Sequence, residues 1–486
     1  MQEEQSDHYG MFIDGKFRDG AETFDVENPA TGSPIATVAE ASEGGVDDAI
    51  TSAKRAQPEW AAMDPAERGQ HLSAFAETIR ERVDEISKTV TLETGRPIGQ
   101  SVGLVGSAAD YIEYYAGMTT KIQGETIPVP GDQQAFTRKE PVGVSAQVIP
   151  WNAPILLCCR GIGPALAAGN AVVVKPAPEA PLGLLEIGEL ATEAGIPDGV
   201  LNVVTGDGET TGAALTTDPR IDEITFTGSV ATGQIVGKAA IDNVVPTALE
   251  LGGKSPAVVF EDANLEDAVE GAMKALTLMS GQVCFATTRI FVHQGCYDEF
   301  REALREAVES ISIGPGIEDP DLGPLVSDDG LEKVRGYVDD ALENGASALT
   351  GGAVPDREGY FYEPTVIEGA DDDAPISCEE VFGPVIALYE FSDEREAIRR
   401  ANDTEFGLYA TVWTNDLGRG HRVANEIEAG SVMVNQYSGS YPQTPFGGYK
   451  KSGLGREKGM QAIDHYTQLK TVNIDYGDGS DGTSDE

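Results

Sequence analysis

Between Val144 and Gly237 short apolar runs alternate with longer segments of helical period. VSAQVIP, NAVVVKP, GVLNVVTG and EITFTG are rich in β-branched residues and predict strands, whereas stretches such as PLGLLEIGELATEAG predict helices. This alternation predicts a parallel, doubly wound α/β sheet. A second α/β stretch begins near Ser255 with PAVVF. It includes an amphipathic helix around Phe300, Leu304, Val308 and Ile311, and continues through ALYEF and YATVWT. From about Val46 to Leu92 the pattern is helical, with His71, Phe75, Ile79, Val83 and Ile86 three or four residues apart, and it stops at Thr94-Gly95-Arg96-Pro97. The opening MFIDGKFRDG sets Asp-Gly turns beside short alternating segments, a hairpin signal. The acidic, Gly/Ser-rich residues 477–486 predict a disordered tail, and no internal repeat is evident.

Composition narrows the class. A chain of 486 residues predicts two or three domains, and a 40% apolar share suffices for sizeable cores. Lys and Arg number 34 against 81 Asp and Glu, a net charge of −47. That balance excludes partners bound by phosphate neutralisation, so neither nucleic acid nor an anionic membrane is expected. The acids are interspersed with apolar periodic segments, which predicts a solvated acidic surface rather than disorder. So much acid, with Lys outnumbered by Arg, fits a high-salt cytoplasm. MQEEQSDHYG lacks the features of a secretory signal, and no apolar run is long enough to span a membrane. Cys158, Cys159, Cys284, Cys296 and Cys378 have no metal-ligand spacing and form no evident disulfide framework. A soluble, cytoplasmic, reduced and metal-free protein is expected.

Open α/β sheets bind ligands outside the carboxyl ends of their strands. Four such ends carry polar or Gly-rich turns: Pro150-Trp151-Asn152, Lys175-Pro176, Gly206-Asp207-Gly208 and Thr227-Gly228-Ser229. The last leads from strand into helix, where free N–H groups suit a phosphate. Gly206-x-Gly208-x-x-x-Gly212 is not the dinucleotide fingerprint, and any one turn is equally a permissive helix start. Four along one sheet, one bearing a Lys, favour a dinucleotide. Among the cysteines, Cys158 and Cys159 follow an apolar run and read as core, and Cys296 and Cys378 as structural. Cys284, in SGQVC, is the candidate nucleophile, although chemistry alone leaves it open. Glu250, flanked by two leucines before a double Gly, is either on the polar face of a strand or a general base of raised pKa. No histidine has a nucleophile at motif spacing, so a Cys-His hydrolase is the weaker alternative and His293 reads as structural.

In order along the chain stand PWNAP (150–154), VVKP (173–176), FTGS (226–229), LELGGKSP (249–256), GQVC (281–284), EEVFGPV (379–385) and PFGGYKKSGLGRE (445–457). Together with the 34-residue interval from Glu250 to Cys284, this series resembles the aldehyde dehydrogenase superfamily over nearly the whole chain. The resemblance implies a cofactor domain (1–120 and 141–252), a catalytic domain (253–466) and a small antiparallel oligomerisation element (121–140 and 467–476). It also implies a homodimer or homotetramer. By the same resemblance Cys284 attacks the aldehyde, and Asn152 with the Cys284 N–H holds the oxyanion. Glu250 then activates the water that hydrolyses the thioester. The implied cofactor is NAD or NADP, contacted by Pro150, Trp151, Lys175, Pro178, Gly208, Gly212, Gly228, Ser229, Leu251, Gly252, Glu380 and Phe382.

One departure bears on the cofactor. Many NAD-preferring members read Lys-x-x-Glu after the third strand; here Pro178 takes the Glu position and Glu179 follows. Dual cofactor use is therefore expected. A CoA-acylating member of the family would lack Glu250, and a catalytically silent one would lack Cys284, Glu250 or Asn152. All three are present, which favours hydrolytic chemistry. The aldehyde pocket is expected to be lined by Val283, Phe285 and Asn435–Tyr441, an apolar or aromatic wall. No Arg for a dicarboxylic semialdehyde is evident nearby, but Arg160, beyond Asn152, lies within possible reach.

Overall fold

The strands predicted from apolar runs form the middle of an eight-stranded sheet in the computed structural model, which describes residues 7–437 and 441–477. Leu201–Val203, Ala171–Pro176, Val144–Ile149, Glu223–Thr227 and Thr247–Glu250 lie side by side in that order, all parallel. Helices cover both faces, so every position from Val172 to Val174 is fully buried and the run reads as continuous hydrophobic sequence. Chain order reverses at Val144–Ile149, whose neighbours are Ala171–Pro176 and Glu223–Thr227. A crevice therefore opens at the carboxyl ends of Val144–Ile149 and Glu223–Thr227.

Both edges of this sheet are antiparallel, a departure from the purely parallel expectation. At one edge the predicted hairpin forms, Met11–Ile13 pairing with Lys16–Arg18 through Asp14 and Gly15 at φ 57° and 71°. At the other, Gly453–Leu454 of the C-terminal signature pairs with Thr247–Glu250, setting Gly453 opposite Glu250.

A second sheet has seven strands in the order Ser347–Thr350, Thr365–Glu368, Val385–Phe391, Arg289–His293, Pro256–Val259, Tyr409–Trp413 and Ser431–Val434, antiparallel only at the first pair. Thr126–Ile127, Gln133–Pro141 and Thr467–Asp475 make a separate antiparallel sheet where the excursion was expected.

Two helical expectations are refined. The region from Val46 to Leu92 is three helices, Glu43–Ala62, Pro65–Glu81 and Val83–Thr94. Asp64 caps the second of them, and Pro65 supplies no N–H to continue the first. Gly95 closes the third at φ 75°. Ile311 lies beyond the helix Tyr297–Glu309, which ends at Ser310. Cys158 and Cys159 are buried in the core of the helix Pro154–Ala168, as expected. The predicted acidic tail lies outside the described residues after Gly477.

Candidate active site

The two large sheets face a cavity of about 700 Å³. Pro150, Trp151, Asn152, Gly228, Ser229, Glu250, Leu251, Gly252, Cys284, Glu380 and Phe382 all line it. Lys175, Pro178, Gly208 and Gly212 do not. Lys175 is buried at the end of its strand and donates to Pro176 O at 2.9 Å, with its stem against Gly212. Gly208 begins a short π-helical turn, Gly208–Gly212, in place of a simple Gly-rich loop.

Cys284 is positioned by a strained segment. Met279, Ser280 and Gly281 are successively left-handed, at φ 48°, 53° and 72°. For the two non-glycine residues this costs roughly 1–2 kcal/mol each. Surrounding bonds offset the strain: Met279 N donates to Gln100 Oε1 at 2.9 Å, and Ser280 Oγ to Gly323 O at 2.8 Å. Gln282 is fixed as well, donating to Met279 O at 3.0 Å and accepting from Val326 N at 3.0 Å. A Cβ on Gly281 would lie 2.1 Å from Gly383 O, so only glycine fits there. The double Gly of LELGG has the same kind of reason. A Cβ on Gly253 would lie 2.3 Å from Cys284 O, and one on Gly252 would lie 2.5 Å from Glu380 Oε2.

Asn152 is buried and donates from Nδ2 to Gln282 O at 3.0 Å, which ties it to the nucleophile segment. The second Nδ2 proton is left for another acceptor. Arg96 donates to Asn152 O from behind. Cys284 is half-buried by its surface, but desolvation, with Glu380 and Glu250 nearby, pushes its thiol up to about 12. Glu250 ends its strand buried, and neither carboxyl oxygen has a hydrogen-bond partner among the described residues. Burial, and secondarily Glu457, hold its pKa well above the usual carboxylate range, against the opposing pull of Arg160, Arg456 and Lys458. Its side chain is enclosed rather than set on an exposed face of the strand.

At the far end of the cavity Ser229 caps the helix Val230–Asn243, accepting from Thr232 N at 3.2 Å. Trp151 and Phe382 meet edge to face at 5.5 Å, and Phe382 is itself left-handed at φ 61°. Glu380 accepts from Gly253 N at 2.9 Å through Oε1, leaving Oε2 free of that bond. A capped helix N-terminus, an edge-to-face aromatic pair and a carboxylate fit the phosphate, ring and ribose of a dinucleotide.

Around Phe285 the cavity wall is aromatic, as expected from Phe285 and the tyrosines. Phe285 lies 5.4 Å from Tyr409, 6.0 Å from Tyr437 and 6.5 Å from Phe446, centroid to centroid. The expected wall of 435–441 needs correction. Tyr437 lines the cavity, but Asn435 turns away to bind Thr414 N and O, and Tyr441 is 55% exposed. Residues 438–440 lie outside the described structure. Arg160 does line the cavity, ion-paired with Glu457. Arg96, Lys274, Lys333 and Lys458 also line it and were not anticipated. Their proximity is tertiary, and only Lys458, directly after PFGGYKKSGLGRE, adjoins a recognised motif. His293 is structural, its ring meeting Ser392 O at 3.1 Å. No group of residues suited to hold a metal occurs among the described residues, and no helix is long and apolar enough to cross a membrane.

The description "Aldehyde dehydrogenase family" belongs to the family whose model matches residues 17–472. DhaS of Bacillus subtilis (strain 168) is 42% identical over 474 residues, which cover 96% of each protein. Among solved structures, the NAD+ complex of an aldehyde dehydrogenase from Bacillus cereus superposes with a TM-score of 0.95 at 40% identity over 97% of each chain. An NADP-dependent enzyme of E. coli superposes with a TM-score of 0.95 at 38% identity, over 96% of this chain and 98% of that one. Matches that run the length of the motif series, the two sheets and the cavity between them leave one conclusion: the chain belongs to the aldehyde dehydrogenase family.

Proposed function

We propose that the protein oxidises an aldehyde to its carboxylic acid with NAD or NADP, through a thioester on Cys284 that water hydrolyses. The observation that carries this is the meeting of Cys284, Asn152 and Glu250 in one cavity. Cys284 loses its proton to solvent and adds as the thiolate to the carbonyl carbon, and the oxyanion is held by the second Asn152 Nδ2 proton and the Cys284 N–H. When bound, the cofactor would supply the hydride acceptor, and Ser229, Trp151, Glu380 and Phe382 would hold it. The acyl group remains on Cys284 as a thioester. Glu250, as carboxylate, takes a proton from the attacking water, and the acid leaves as the thiolate is restored. Acid formation from aldehyde and NAD(P)+ without CoA, followed by absorbance of the reduced cofactor, tests this; a strict CoA requirement contradicts it.

Residues 1–120 and 141–252 serve the cofactor in this scheme, and 253–466 the chemistry. The antiparallel sheet of 121–140 and 467–476 serves association, a role supported by exposed Leu469, Ile474, Tyr476 and Ile127. Cofactor choice turns on Lys175 and Pro178. Burial pushes the Lys175 ammonium down to about 8, opposed by Glu179, Asp207 and Glu40, and no Glu stands at 178 to repel a 2′-phosphate. We expect the kcat/KM values for NAD and NADP to lie within about a hundredfold, or ~2.7 kcal/mol. A larger ratio in steady-state assays removes dual use.

The charge of −47 implies a salt requirement. Screening shortens from about 10 Å at 0.1 M to about 3 Å at 1 M, and self-repulsion falls with it. Activity and oligomer mass by light scattering are both expected to drop on dilution from molar to low salt. A low-salt optimum excludes adaptation to high salt without touching the catalytic assignment.

A further inference from the structure

Arg96 is a buried cation in the cavity wall that pairs with no carboxylate among the described residues. It is 2% exposed, and burial, unopposed by any acid, pulls its guanidinium down to about 9. Arg68 and Arg289 are buried too, but each donates to three backbone carbonyls and so closes the ends of structural elements. Arg96 is spent differently. Its Nη2 donates to Asn152 O and its Nε meets Met279 Sδ at 3.1 Å, while Nη1 has no partner among the described residues. Both of its partners are uncharged, and both stand in segments that build the site.

These bonds close a ring. Asn152 Nδ2 donates to Gln282 O at 3.0 Å, and Gln282 Nε2 to Met279 O at 3.0 Å. Arg96, Asn152, Gln282 and Met279 thus form a circuit across three segments far apart in sequence. The base of the circuit is rigid. Arg96 lies between Gly95, which ends its helix left-handed, and Pro97, whose own ring fixes φ. A Cβ on Gly316 would lie 2.2 Å from Arg96 O, so this backbone has little room to shift. The nucleophile turn is anchored independently by Gln100, Gly323 and Val326. Asn152 has two anchors, Gln282 O at its side chain and Arg96 at its carbonyl.

We propose that Arg96 is a positioning residue: its guanidinium fork locks Asn152 to the turn that carries Cys284, and so sets the oxyanion donor relative to the sulfur. The proposal rests on the reading of Cys284 as nucleophile and Asn152 as oxyanion donor. The planar fork of arginine offers two N–H groups in fixed geometry to two acceptors, whereas the single ammonium of lysine cannot bridge them in the same way. A donor stabilises an oxyanion only over a narrow range of distance, so loosening Asn152 slows the chemistry while leaving cofactor binding alone.

Stopped-flow absorbance of the reduced cofactor, with the full-length protein and hexanal, reads the rate constant of the first turnover, in which the oxyanion forms and collapses. R96K is expected to lower it by roughly tenfold to a hundredfold. M279L keeps the buried cation but removes its sulfur anchor, and is expected to lower the same constant by a smaller factor. Should R96K not fold, M279L alone carries the comparison. In both variants the Kd for NAD(P)+ and the rate of Cys284 alkylation by iodoacetamide, which forms no oxyanion, are expected within about twofold of wild type. N152A alone is expected to cost about 10²–10³-fold. In that background R96K and M279L are expected to add nothing, because the residue they act through is gone. Undiminished effects in N152A, an unchanged first turnover in R96K or M279L, or alkylation slowed as much as the first turnover overturns the positioning role and leaves aldehyde oxidation standing. A first turnover undiminished in N152A alone removes the oxyanion reading, and this proposal with it.

Discussion

Replacing Cys284 with alanine is expected to lower aldehyde turnover by about 10⁴-fold or more, the scale seen when a nucleophile is removed from a group that acts as a unit. Binding of NAD(P)+, followed by quenching of protein fluorescence, is expected to persist. Ser229, Trp151 and Glu380, which we propose face the cofactor, belong to other segments, and only the sulfur is lost. The strained turn before Cys284 is held by Gln100, Gly323 and Val326, none of which bonds the thiol. Retained turnover in C284A removes Cys284 from the mechanism.

Glu250→Gln is expected to give a burst of reduced cofactor followed by turnover slowed about 10²–10⁴-fold, the usual contribution of a general base. Acylation survives, while hydrolysis of the thioester loses its proton acceptor. The pH dependence has a definite sign. Burial raises the Glu250 pKa, so the protonated, inactive carboxyl dominates at low pH, and the hydrolytic rate climbs as pH rises through that raised value. In E250Q this limb flattens. Unchanged steady-state kinetics, or an unchanged pH limb, contradict the base role.

The parts of the molecule legible in the sequence are those governed by local pattern. Val172–Val174 announce a strand because both faces are covered, and Gly95 and Asp14-Gly15 mark their turns because left-handed backbone is required there. Cys284 and Glu250 stand out by chemistry but are settled as neighbours of one cavity only by tertiary packing. The charge around Glu250 was not legible. Arg160 meets Glu457 across most of the chain, and Lys458 reaches Phe446 through a backbone conformation that no periodicity signals. The antiparallel edge strand Gly453–Leu454 is two residues long, too short to leave a pattern.

That edge strand sets a timetable for biosynthesis. Strand Thr247–Glu250 gains its outer neighbour only from residues synthesised some two hundred positions later. Gly447 packs against the Glu250 carboxyl, and a Cβ there would lie 2.9 Å from Oε1. A nascent chain can thus complete the inner strands of the first sheet and expose Cys284 well before Glu250 is enclosed. Until the last segment docks, the carboxyl remains hydrated and ionises as an ordinary one. On the proposed mechanism, competence for hydrolysis waits on the segment from Pro445 onward, and a ribosome stalled before it would carry Cys284 without an enclosed Glu250.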